Sequence, residues 1–226
     1  MEGDCMGVVQ EIGGSRLSLI LAAERLFADF GLESVSLRQV HEAAGHRNAS
    51  AVHYHFGSRD GLVEAVFEHR MSLINRRRLA IMERLEGEHR LTEARALVGA
   101  WVHPFAEELR PRAEGNYSLR FLERLLRDEP LFIQRNALQE PGALWVTGWK
   151  VADALEALLA YLPPKIARMR LRLLRLQIVS GLAAIEARGD REETEFHVEG
   201  LIDCLVGGLA APVSHEAQRA LRDRAE

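Results

Sequence analysis

Apolar residues along this chain recur at steps of three and four, with no convincing strict alternation, and that period predicts helices from end to end. Leu17, Ile20, Ala23, Phe27 and Phe30 set one stripe on a first helix over about 15–30, which Gly31 ends. Leu37, Val40 and Ala44, behind the N-cap candidate Ser36, give a second short helix that stops near Gly45. A third, over about 49–56, turns Ala51, Val52 and Phe56 inward. Gly57 and Ser58 separate it from a long fourth helix, Arg59 to about Leu85, whose buried side carries Leu62, Val66, Phe67, Leu73, Ile74 and Ile81. Arg76, Arg77 and Arg78 on that helix point about 100° apart and read as a solvated face. Further helices are expected at about 92–110, 115–128, 129–137, 142–161, 164–188 and 193–210, punctuated by Pro111, Pro130, Pro141, Pro163, Pro164, Gly189 and Pro212. The fold class is therefore all-α: a flexible arm at 1–14, a small helical domain with its connecting helix at 15–88, a helical bundle at 89–212 and a tail at 213–226.

The stretch from Ser36 to Arg59 carries the most specific chemistry. Two short helices flank the polar turn His46, Arg47, Asn48, and the second leaves Asn48, Ser50, His53, Tyr54 and His55 as candidates for an outer surface. Such a pair, with its second helix rich in hydrogen-bonding side chains, is the helix-turn-helix that lays a recognition helix in the DNA major groove. From Leu17 to about Phe67, the run LILAAERLFADFGLESVSLRQVHEAAG followed by HYHFGSRDGLVEAVF resembles the DNA-binding domain of the tetracycline-repressor (TetR) family of bacterial transcription regulators. AERLFADFG, the Ser-Leu-Arg-Gln-Val opening, the Ala44-Gly45 corner and YHFGSR carry the resemblance. After Gly45 the chain departs from the commonest family pattern, with a polar His46 and a turn one residue longer.

The resemblance implies a homodimer on double-stranded DNA. In that reading the helices at about 164–188 and 193–210 pair with their symmetry mates, and the two recognition helices meet an inverted repeat about 34 Å apart. Ser36, Arg38, Tyr54, His55 and Arg59 are the candidates for holding phosphates; Arg47, Asn48, Ser50 and His53 are the candidates for reading base edges. The last two helices carry apolar surface beyond what a one-sided helix needs: Leu173, Leu176 and Val179 on one, and Gly200, Cys204 and Gly208 recurring every four residues on the other.

Charge does not advertise such a partner. The formal net charge is −4, and residues 1–90 hold 11 Arg against 13 Asp and Glu. What favours DNA is local: between Ser36 and Asp60, three arginines face two acids, and four histidines add hydrogen-bonding capacity. Weak non-specific attraction argues that specific binding needs two copies of the module. No apolar run is long enough to span a bilayer and no signal segment is evident, so a cytoplasmic location is expected. Cys5 and Cys204 read as a thiol in the arm and a small core residue.

The bundle concentrates Trp101, Phe105, Tyr117, Phe121, Phe132, Trp145 and Trp149 in its first half. Aromatic residues at helical spacing form cores more often than cavities. The resemblance places a ligand domain here, which makes these residues, with His103, Tyr117 or Arg120 as a polar contact, candidates for a small, largely hydrophobic effector. The expected function is a repressor released from its operator by that effector; the alternatives are control by a protein partner and, remotely, a helical enzyme. No cofactor or metal is expected: His53 and His55 stand about 200° apart on a helix, and Glu107-Glu108 and Asp203-Cys204 are isolated pairs.

Overall fold

The structure, a computed structural model, describes residues 3–45, 50–111, 115–129, 132, 143–189 and 192–222, with side chains from residue 14 onward except at 50–52 and 143–147. Ten α-helices and a single 3-10 turn, and no strand, occur among the described residues. In chain order the helices are α1 Gly3–Phe30, α2 Leu37–Ala43, α3 Ser50–Phe56, α4 Arg59–Gly87, α5 Ala94–Ala106, α6 Ser118–Asp128, α7 Ala143–Leu158, α8 Pro164–Arg188, α9 Thr194–Ala210 and α10 His215–Arg222, with the 3-10 turn at Glu107–Leu109.

At the chain ends, the first helix begins at Gly3, within the stretch expected as an arm, and extending a nucleated helix adds a hydrogen bond for each residue fixed. The tail carries the short helix α10. The α1 stripe also shifts. Leu19, Ile20, Ala23 and Phe27 are its buried members, whereas Leu17 and Phe30 are 41% and 60% exposed. Leu17 lies off the edge of the stripe, and Phe30, the last residue of α1, overhangs the packing. The helix expected at about 129–137 falls almost wholly outside the described residues; Phe132 is buried, with its ring edge-on to Phe67 at 5.2 Å.

Helix α4 is the spine. Its 29 residues span about 43 Å at 1.5 Å per residue. Along that length it packs against α1 and α3 at one end and α5 and α7 further on. Helix α6 closes onto α1, with Phe121 stacked on Phe27 at 6.2 Å, and onto α8. Helices α8 and α9 approach closely at Gly181, where an added Cβ would lie 2.9 Å from Leu201 Cδ1. A side chain there would make the end of Leu201 shift.

Buried charge holds these helices in one arrangement. Arg70 of α4 donates from Nε and Nη2 to the two carboxylate oxygens of Glu24 on α1, both at 2.5 Å. Burial pulls the Arg70 guanidinium down, but hydrogen bonding and charge from Glu24, with Glu108 and Glu186 beyond, more than offset this and leave it above its ordinary value. Glu108, in the 3-10 turn and fully buried, also accepts from Arg77 at 2.5 Å and from Ser118 Oγ at 3.2 Å. The three consecutive arginines thus have three fates. Arg76 is exposed, Arg77 is half-buried on Glu108, and Arg78 is 2% exposed, so the expected solvated face is corrected for two of the three. Successive helix positions cannot share one environment when the helix is packed on several sides.

Two smaller expectations also change. Cys204 is an exposed free thiol and not a core residue, because it lies on the outer side of α9 while Ile202 and Leu205 beside it face the core. Val179, expected to widen the outer apolar surface of α8, is buried at 8% exposure, while Leu173 and Leu176 are 47% and 46% exposed.

Glu186 reaches from α8 to cap α6, accepting from the backbone N–H of Leu119 at 3.2 Å and of Arg120 at 2.9 Å. Burial pushes its carboxyl above the ordinary carboxylate range, with the two backbone N–H groups and Arg120 opposing.

Two predictions follow from these charges. Arg70→Met leaves Glu24 buried without its partner and should cost about 3–5 kcal/mol in urea unfolding; a loss below about 1 kcal/mol would show the pair to be dispensable. For Glu186, the folded state holds the proton more tightly than the unfolded chain does, so its contribution to stability falls as pH rises between the two values. The melting temperature of the wild type relative to Glu186→Gln should therefore decline as the pH rises above about 4, and a flat difference would remove burial as the cause.

Candidate nucleic-acid interface

Helix α2 starts in a complete capping box. Ser36 Oγ accepts from the Gln39 backbone N–H at 3.3 Å, while the Ser36 N–H donates to Gln39 Oε1 at 2.8 Å. The helix is only seven residues long, so this cap fixes where its first turn lies. Its inward face carries Val40 and His41, both buried, and its outward face carries Arg38, whose side chain is 83% exposed beside Glu42 at 3.5 Å. His41 is therefore not part of the outer surface that four histidines were expected to share. Its two ring nitrogens are buried without hydrogen-bond partners, and the structure gives it no role.

Helix α3 presents His53 and Tyr54 to solvent, Tyr54 at 77% exposure, with His55 half-buried beside them. The His55 ring stands edge-on to Tyr54 at 5.1 Å and tilts against Phe56 at 6.0 Å. Phe56 turns inward, and the guanidinium of Arg16 on α1 lies 5.3 Å from its ring centre. The corner from α3 into α4 is tight. Ser58 caps α4 through the Gly61 N–H at 3.1 Å, and a Cβ on Gly61 would lie 2.2 Å from the Phe56 carbonyl oxygen. Only glycine lets α4 leave α3 at this angle. Arg59, half-buried at the start of α4, keeps Nε and Nη2 without hydrogen-bond partners.

Of the expected contact residues, Ser36, Arg38, His53, Tyr54, His55 and Arg59 are thus brought to α2, α3 and the first turn of α4. Arg47 and Asn48 lie outside the described residues, as does the Ser50 side chain. The described part of the interface offers hydroxyl, imidazole and guanidinium donors on helix surfaces, which suits phosphate and base edges. Sequence reasoning did not single out Arg16 or Gln39, although Ser36-Leu37-Arg38-Gln39 is a capping-box spacing.

The residues expected to line an effector cavity are not brought together as a set. Trp101 and Phe105 lie buried on one face of α5, and His103, between them and pointing the opposite way, is 46% exposed near Glu199 of α9. Phe121 is in the core on Phe27. Arg120 lies 5.3 Å from the Tyr117 ring centre and pairs with Asp29 of α1 at 3.0 Å, which makes it a tie between helices. Trp149 is 46% exposed, and the Trp145 side chain is outside the described set. Among the described residues, no group of three or more His, Cys, Asp or Glu is placed to hold a metal ion. No single helix among them is long and apolar enough to cross a membrane; α9 and α10 pass that test only as a pair bent by 56°.

A capped short helix, a tight glycine corner and a second helix displaying donors define a helix-turn-helix DNA-binding protein. Residues 19–66 match the family described as bacterial regulatory proteins, tetR family, which makes this part of the chain similar to the DNA-binding domain of those transcription regulators. Members of the family are regulators and not enzymes. Among solved structures, the chain is similar to a TetR-family transcriptional regulator from Rhodococcus sp., with 20% identity over 88% of this chain and 100% of that one, at a TM-score of 0.47. It is also similar to a TetR-family regulator from Streptomyces coelicolor A3, with 19% identity over 88% of this chain and 96% of that one, at a TM-score of 0.39. No curated protein matches the chain.

The cap can be tested alone. Ser36→Ala should lower unfolding free energy by about 1 kcal/mol in urea titrations. An unchanged midpoint would mean that α2 is held by its packing without help from its cap.

Proposed function

We propose that this protein is a dimeric, sequence-specific repressor of transcription, acting in the bacterial cytoplasm and released from a palindromic operator by a small, largely hydrophobic effector bound in the bundle. The observation that carries the proposal is the continuity of α4. One end of this helix is fixed to the DNA-reading surface through Ser58 and Gly61, and the same helix is clamped to the bundle through Arg70, Arg77 and Glu108. A change in bundle packing therefore moves the recognition helix, because a single helix transmits a tilt from end to end.

Dimerisation through α8 and α9 is supported by what those helices leave outside. Met169, Leu173 and Leu176 on α8 are each 46–47% exposed, and Phe196 on α9 is 73% exposed. An added Cβ at Gly200, Gly207 or Gly208 would meet nothing within 4 Å, so no contact within the chain requires these glycines. A second copy approaching along this smooth apolar face accounts for both features. Two recognition helices about one helical turn apart then read an inverted repeat, and an effector that alters their separation prevents both half-sites from being met at once. In this reading Arg47, Asn48, Ser50 and His53 supply base contacts, while Ser36, Arg38, Tyr54, His55 and Arg59 hold phosphates.

Selection from a random duplex library at near-physiological salt should enrich an inverted repeat. Arg47→Ala should relax preference at one position in each half-site, and Tyr54→Phe should weaken every site about equally. Uniform loss for both variants would refute the division into readers and anchors, and a single unrepeated motif would refute the dimer.

A further inference from the structure

Arg78 lies in the interior of the bundle, 2% exposed, on the third quarter of α4. Its Nη1 donates to Asn75 Oδ1 at 2.5 Å, and its guanidinium carbon sits 5.2 Å from the centre of the Phe105 ring on α5. On the α7 side, Gly148 adjoins it: a Cβ there would lie 3.7 Å from Nη1. Among the described residues, Nε and Nη2 are buried without a hydrogen-bond partner and no carboxylate forms an ion pair with this guanidinium. Burial moves Arg78 down from its ordinary value to about 10, so it stays charged at neutral pH.

The two unpartnered nitrogens form the side edge of one guanidinium, which presents two parallel N–H groups matched in spacing to the two oxygens of a carboxylate. The same helix shows this edge in use. Two turns earlier, Arg70 holds Glu24 through the identical pair, Nε and Nη2, at 2.5 Å each. An aromatic face and an amide oxygen do not satisfy the remaining donors of a buried cation. DNA phosphates are out of reach, since Arg59 is about 28 Å away along the helix at 1.5 Å per residue.

We propose that the Nε and Nη2 edge of Arg78 receives the carboxylate of a small organic acid with an apolar body, bound between α4, α5 and α7. This rests on the effector-controlled reading above and gives its ligand a charge that the aromatic residues alone did not indicate. One negative charge fits better than two, because the neighbouring cations are engaged: Arg70 with Glu24, and Arg77 with Glu108. A phosphate monoester would bring nearly two charges to a single guanidinium.

The test is calorimetric titration of the intact protein with three acid and amide pairs: octanoate and octanamide, benzoate and benzamide, phenylacetate and phenylacetamide. At least one acid should bind the wild type, and its amide at least tenfold more weakly. Arg78→Met should lose that acid at least tenfold while melting at or above the wild-type temperature, because it removes an unpartnered buried charge. Arg78→Lys keeps the charge without the fork and should also bind the acid more weakly. Failure of all three acids on the wild type, equal binding of acid and amide, or undiminished acid binding by Arg78→Met would each overturn the proposal. An acid held through Arg78 that leaves operator affinity unchanged would retain this site and remove effector-controlled release. A neutral compound that frees DNA from wild type and Arg78→Met alike would do the reverse.

Discussion

A guanidinium taken out of water must find an acceptor, and the arrangement of this protein turns on how α4 meets that demand. Arg70 meets it with Glu24 from α1 and Glu108 from the 3-10 turn after α5, so one side chain joins three parts of the chain. In net free energy such a pair gains little over a well-packed apolar contact, since desolvation consumes most of the attraction. Its consequence is geometric. An apolar interface tolerates a slip of an ångström, whereas a two-point hydrogen-bonded pair between α1 and α4 does not.

The same constraint runs on through the chain and ties the bundle to the helix-turn-helix. Arg70 fixes α4 to α1, Gly61 fixes α4 to α3, and Arg120 and Phe121 of α6 fasten the bundle to Asp29 and Phe27 of the same α1. Glu186 extends the connection to α8 by holding the first backbone N–H groups of α6. From the outer apolar face of α8 to the corner of the recognition helix, each step is a packed ring, a cap or an ion pair.

Local order was legible in the sequence where it depends on local chemistry. The Ser36 cap, the break at Gly57 and Ser58 before α4 and the limits of α8 at Pro164 and Arg188 follow from residue type and spacing, and the structure has them in place. The family resemblance through YHFGSR was legible for the same reason. What periodicity could not supply was the partner of each face. Trp101 and Phe105 sit on the buried side of α5 while His103 turns to Glu199, a division set by which helix lies alongside. Phe121 reads as a cavity aromatic until Phe27, far away in sequence, is found against it.

The run Arg76-Arg77-Arg78 shows the same limit most sharply. Three identical residues carry one local message, and a solvated face is the sound inference for an isolated helix. In the folded chain α4 is covered by α5 on one side and α7 on another, so a 100° step moves a side chain from solvent to the Glu108 carboxylate to the apolar interior. Arg76 satisfies its charge in water and Arg77 on the Glu108 carboxylate. The third does so only in part, through Asn75 and the face of Phe105, and leaves two parallel donors buried without a partner among the described residues. Keeping a charge there is costly for a fold that needs only a core, and that cost is the physical ground for assigning Arg78 to recognition of something outside the chain.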